Sequence, residues 1–149
     1  MKSIFDKSVQ QEILTRIEFL NESSKPSWGK MTVAQMVRHC IICERYYKGE
    51  VSVKRSALGR VLGGVAIKAI LKDENSSFSK NASTSSEFLV SENGLNLEAE
   101  KNHWKDLIAG YDNFNQDSFM HWFFGKMTKE QLGQFIYKHS DHHLKQFGV

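Results

Sequence analysis

The sequence predicts an all-α protein, a four-helix bundle with a weaker extra helix and a long loop between its second and third helices. Three observations carry this. The 149 residues contain one proline, Pro26, and few alternating β-branched runs. Apolar residues recur at spacings of three and four, the period of a helix with one buried face. Two segments open with a helix-start signal, Thr32-Val-Ala-Gln35 and Thr128-Lys-Glu-Gln131. In each, threonine and glutamine can satisfy each other's free backbone N–H groups. A chain of this length buries a core without disulfides, so residues 1–149 are expected to form one domain.

The first segment, Asp6 to Asn21, puts Val9, Ile13, Ile17 and Leu20 on one stripe and ends in a polar stretch before Pro26. The second begins at Thr32, with Met31 and Met36 able to bracket its first turn, and its stripe runs through Val33, Met36, Val37, Cys40 and Ile41. The weaker helix falls in Ser56 to Lys72, where Gly63 and Gly64 lower helix propensity. There Leu58, Val61, Leu62 and Val65 form a stripe flanked by Arg55, Arg60, Lys68 and Lys72. Packing on the bundle or a homodimer contact is the first expectation for this stripe, and a membrane surface is the alternative. Asp73 to Glu87, rich in Ser and Asn, reads as an exposed loop, followed by a brief extended piece at Phe88 to Val90. The third long segment, Leu95 to Phe114, carries Leu97, Trp104, Leu107, Ile108 and Tyr111 on one face, and Gly110 weakens its last turn. An aromatic loop, His121-Trp-Phe-Phe-Gly125, leads to the fourth, which starts at Thr128 between Met127 and Leu132 and runs nearly to Val149. Gly29 to Met36 echoes Gly125 to Leu132, and a recurring N-cap signal accounts for the echo without a duplication.

Composition narrows the function. Lys and Arg number 20 against 17 Asp and Glu, and a net charge of +3 is too small to suggest a nucleic-acid partner. Met1 to Asp6 lacks the pattern of a secretory signal, and no run approaches the ~18 apolar residues of a membrane span, so the cytoplasm is the expected compartment. Cys40 and Cys43, three apart within a helix, read as reduced thiols.

Chemistry concentrates at the histidines. The stripe Leu132, Phe135, Ile136 of the last helix continues in register into His139, His143 and Gln146. Side chains four apart on a helix can converge on one ion at the ~2.0–2.1 Å typical of imidazole ligands. His39 faces inward on the second helix, seven residues after its capping threonine, and could supply a third ligand. Three imidazoles crowded in an apolar interior cannot all be protonated, and a divalent cation accepts three neutral lone pairs instead. The alternative is that each histidine caps a carbonyl or packs at a wet helix end. His142 competes as an inward-leaning neighbour, Cys43 could add a soft donor four residues after His39, and Gln146 could orient a ligand from behind. His103 and His121 are expected to pack or cap.

The string from Tyr137 to Gly148 resembles the last helix of the DinB-like superfamily, in which a His-x-x-x-His pair is followed three residues later by glutamine. The match falls on His139, His143 and Gln146. Trp28 to His39 resembles that superfamily's second helix, whose histidine completes a metal triad, and His121 to Gly125 resembles a branch of unknown function. The resemblance covers nearly the whole chain in motif order. It implies a four-helix bundle holding nickel, zinc or a similar divalent ion on three histidines with coordination positions left open. Some members are transferases that join a small thiol to an electrophile. The resemblance thus implies a metal-dependent thiol transferase, with a non-catalytic metal-binding or interaction module and a metal-dependent hydrolase as alternatives.

Overall fold

Helix starts follow the local capping chemistry. The computed structural model describes residues 1–149. Helix α1 spans Lys7–Phe19, α2 Val33–Tyr47, α3 Ala57–Ile70, α4 Leu97–Ala109 and α5 Lys129–Gln146. Thr32 and Thr128 are the N-caps of α2 and α5, and both form the reciprocal bonds with Gln35 and Gln131. Ser56 and Asn96 cap α3 and α4 by accepting from Gly59 N–H and Ala99 N–H. Such a cap typically contributes about 1 kcal/mol. The last turn of the Leu95–Phe114 segment tightens into a 3-10 turn at Gly110–Asn113.

The all-α expectation is overturned. Between α4 and α5 the chain forms an antiparallel hairpin, β1 Ser118–His121 paired with β2 Gly125–Thr128, so the fold is mixed α/β with five helices and one two-stranded sheet. Four-residue strands are too short for alternation to stand out in sequence, and the aromatic run from His121 to Phe124 reads as a loop. Gly125, at φ +88°, takes the left-handed conformation that lets the turn close into β2. His121 fixes the same turn, because its Nδ1 accepts from the N–H groups of Phe123 (3.1 Å) and Phe124 (3.3 Å). The extended piece expected at Phe88–Val90 is replaced by a 3-10 turn at Ser86–Phe88.

The core lies between α1, α2, α4 and α5, with α2 packed chiefly on α4. Ile4, Ile13, Ile17, Leu20, Met36, Trp104, Ile108, Leu132 and Ile136 are fully buried there. Ion pairs lock the helices at its margins. Arg38 on α2 makes a two-pronged contact with Glu100 on α4 (2.6 and 2.5 Å), and Arg16 on α1 reaches Asp141 on α5 at 2.8 Å and the Val149 carbonyl at 2.8 Å. The third helix stands apart. Its buried residues, Gly59, Gly63 and Ile67, turn toward the hairpin, while Leu58, Val61, Leu62 and Val65 face solvent. That stripe therefore does not pack on the helical core, because the glycines at 59 and 63 let the opposite face approach the Phe123 backbone more closely than any side chain would permit. No helix is long and apolar enough to cross a membrane.

Candidate metal centre

Three histidines meet where the middle of α2 faces the C-terminal half of α5. His139 and His143 stand one turn apart on α5, their ring centres 4.7 Å from each other, and His39 of α2 lies 5.4 Å from His139 and 4.8 Å from His143. A bound ion would sit ~3.2 Å from each ring centre, which separates neighbouring rings by ~4.5 Å at right-angle coordination and ~5.2 Å at tetrahedral coordination. Two of the observed spacings fall in that interval and the His39–His139 spacing lies just above it, so the rings cluster at nearly the spacing of three ligands on one ion, while each triplet of donor atoms that comes within 4.8 Å includes a cysteine.

Two of the rings are oriented from behind. His39 Nδ1 donates to the Phe88 carbonyl at 2.8 Å, and His143 Nδ1 donates to Gln146 Oε1 at 2.9 Å. Gln146 is fixed in turn, since its amide nitrogen donates to the Trp28 carbonyl at 2.7 Å. With each Nδ1 carrying the proton, each Nε2 presents a lone pair; this is how ligating histidines are held. Gly29 makes room for the arrangement. It has φ +83°, and a Cβ there would lie 2.7 Å from the Gln146 amide nitrogen.

Electrostatics favour neutral rings. Burial, and then the neighbouring imidazoles, hold His139 well below the ordinary histidine pKa. Desolvation lowers His39, and it brings His143 down to about 3, with His39 adding to the effect. No carboxylate acts on any of the three. His39 and His143 are buried, and His139 is densely surrounded, with only intermediate exposure of the residue as a whole.

The two cysteines border the trio. Donor atoms of His39, Cys43 and His139 lie within 4.8 Å of one another, as do those of Cys40, His139 and His143. Cys43 Sγ is 3.7 Å from His39 Nε2, the very atom that would face an ion. Burial holds both thiols well above the usual cysteine pKa, so in the metal-free protein they are protonated and weaker donors than the imidazoles.

Other predicted residues separate by role. His142 lies 5.2 Å from His143 and reaches outward between Trp28 (5.4 Å) and Phe78 (5.7 Å), in a cleft of about 350 Å³ that Lys80, Lys138 and Asp141 also line. Phe78 also contacts His139 at 5.8 Å, so its ring stands between that cleft and the histidines. Lys138 ties down the loop carrying Phe78 by donating to the carbonyls of Asp73 (2.8 Å) and Ser76. His121 caps its turn, and His103 is exposed. A second depression, between α1 and α4 at Gln11, Leu14 and Lys105, holds no such cluster.

Sequence reasoning missed two participants. The Phe88 carbonyl comes from the long loop and carries no side-chain signal. Glu44, one residue past Cys43, is fully buried with its carboxylate accepting from Tyr111 O–H. Burial pushes its pKa up to about 7, against the lowering effect of Tyr111 and of nearby Trp104 and Ser140. Trp104 Nε1 and Ser140 Oγ have no partner within hydrogen-bonding geometry. Glu44's position on the apolar stripe side of α2 was the available sign.

Fold and site together define a small mixed α/β protein with a histidine-rich, largely buried centre between two helices. Residues 5–148 match the family described as protein of unknown function (DUF1569), and the chain belongs to that family. Neither a curated protein nor a solved structure gives a significant match.

Proposed function

We propose that this protein binds one divalent metal ion, nickel or zinc, through His39, His139 and His143, and that it uses the ion to activate a small thiol toward an electrophile. The carrying observation is the pair of fixed tautomers. His39 and His143 spend their Nδ1 protons on the Phe88 carbonyl and Gln146, leaving Nε2 lone pairs on rings 4.8 Å apart. Buried, neutral and supported from behind, these rings suit a cation better than any alternative use of three adjacent imidazoles.

Three nitrogen ligands leave coordination positions open, the mark of a site that acts rather than one that only braces the fold. The ion, when bound, supplies Lewis acidity that lowers the pKa of a thiol or water placed beside it. The thiol reading is favoured over hydrolysis because the polar partners fixing the rings are the Phe88 carbonyl and the Gln146 amide, neither of which can serve water as a general base. The resemblance of Tyr137–Gly148 and Trp28–His39 to the DinB-like superfamily points the same way. The cleft lined by Trp28, Phe78 and His142 lies next to the centre, and a small molecule entering from it would have to displace the Phe78 ring that covers His139.

The test is thiol-dependent consumption of a chromogenic electrophile by nickel- or zinc-loaded protein. Turnover that needs both metal and thiol and vanishes in His143→Ala supports the reading. Stoichiometric metal without turnover for any of several thiols would reduce the protein to a metal-binding module.

A further inference from the structure

Helix α3 is inverted relative to an ordinary surface helix. Its packed face is glycine, Gly59 and Gly63, set against the backbone of Phe123 and Phe124, with Ile67 beyond. Its outward face is aliphatic. Leu58 is 59% exposed, Val61 76%, Leu62 48% and Val65 72%. At 100° per residue these four fall within an arc of about 100° on the side away from the glycines.

Charge identifies what covers this face. Residues 51–72 contain Lys54, Arg55, Arg60, Lys68 and Lys72 and not one Asp or Glu. Arg55 is engaged by the carbonyls of His121, Trp122 and Phe123, while Lys54, Arg60, Lys68 and Lys72 are exposed. Of the flanking acids, Glu50 pairs with Arg45, while Asp73 accepts from Ser76 and acts on Lys72 alone among these cations. A second copy docked through the same face would set these cations against their own counterparts without neutralising them. A negatively charged lipid surface offers acyl chains to the aliphatic stripe and counter-charge to the lysines and arginines beside it, the two signals that reversible surface binding requires.

We infer that α3 is an interfacial helix that seats the protein on anionic lipid bilayers, with Leu58, Val61, Leu62 and Val65 entering the boundary and Lys68, beside Val61 and Val65, and Lys72, just past the helix end, at headgroup level. Docking of α3 on the hairpin is retained, because the glycine face is not the one that meets lipid. The helix does not span, and the histidine centre is independent of it.

The experiment is co-sedimentation of the full chain with vesicles of phosphatidylcholine alone or with about 30 mol % phosphatidylserine, at ~0.05 and ~0.5 M salt, beside sedimentation velocity without lipid. Binding is expected only to the anionic vesicles and should weaken at high salt. Lys68→Gln with Lys72→Gln should lower partitioning about 25-fold, at roughly five-fold per cation. Val61→Ser with Val65→Ser should lower it at least ~10-fold, with circular dichroism unchanged because both side chains are exposed. No binding to anionic vesicles, or binding equal in the variants, overturns the inference. A concentration-dependent dimer abolished by Val61→Ser with Val65→Ser would also overturn it, by assigning the face to a second copy.

Discussion

Two adjacent glycines on α3 should respond to the same substitution with opposite signs. A Cβ at Gly63 would lie 2.1 Å from the Phe123 carbonyl oxygen and 2.9 Å from Phe124 Cα, both backbone atoms of the closed hairpin turn that cannot swing aside. Overpacking of this kind costs about 1–3 kcal/mol, and the contact is short enough to place Gly63→Ala near the upper end. Alanine recovers about 1 kcal/mol of helix propensity, leaving a net loss of about 2 kcal/mol. Gly64 has nothing within 4 Å of its would-be Cβ, so Gly64→Ala keeps only the propensity gain, about 0.5–1 kcal/mol of added stability. Neighbouring positions should thus differ by about 3 kcal/mol. Urea unfolding followed by circular dichroism reads this as midpoints moving in opposite directions at constant slope. If Gly63→Ala proves as stable as Gly64→Ala, α3 does not pack on the hairpin through its glycine face.

Other consequences follow from the buried polar groups. Glu44 has a folded pKa of about 7 against 4.5 for a free carboxyl, so the stability tied to its protonation is fully present below pH 4.5 and lost as the pH rises through 7, about 3 kcal/mol in all. Glu44→Gln should therefore be more stable than the parent at about pH 8 and similar to it at about pH 4.5, and an equal effect at both would refute the assignment. His121 and His143, held at about 3, act in the opposite sense: their contribution is present above 6.5 and lost as the pH falls toward 3. In the metal-free Glu44→Gln protein, each should withdraw about 2 kcal/mol by pH 5, with His39 and His139 adding to the loss, and a flat chemical-denaturation profile between pH 7 and 5 would contradict this. Gln146→Ala removes the acceptor for His143 Nδ1–H and the donor to the Trp28 carbonyl. It should weaken zinc binding about 10–100-fold in a chelator competition, and unchanged affinity would show that Gln146 does not support a ligand.

Much of this was legible in the chain because the signals are local. The capping boxes at Thr32 and Thr128 and the stripes of α1, α2, α4 and α5 fix those helices to within a few residues. The convergence of His139 with His143 follows from one helical turn, and the convergence of His39 from an inward register on α2. What stayed hidden depends on contacts distant in sequence. The hairpin arises from two four-residue strands whose pairing Gly125 and His121 enable. The exposed stripe of α3 cannot be told from a packed one until the glycine face is seen against Phe123. Cys43 reads as a possible soft donor, whereas Cys40 reads only as part of the apolar stripe of α2 and yet comes within ligand reach of His139 and His143. The Phe88 carbonyl is invisible to any residue-type argument, since every residue has one.

The proposed site holds one ion on three imidazoles without sulfur. X-ray absorption at the metal edge tests it most directly, on protein purified without a histidine tag and loaded with one equivalent of zinc or nickel. Nitrogen and oxygen neighbours at ~2.0–2.1 Å with the outer scattering of three imidazoles are expected, lost in His139→Ala and His143→Ala. Failure to retain metal, or a sulfur shell at ~2.3 Å from Cys40 or Cys43, would contradict it.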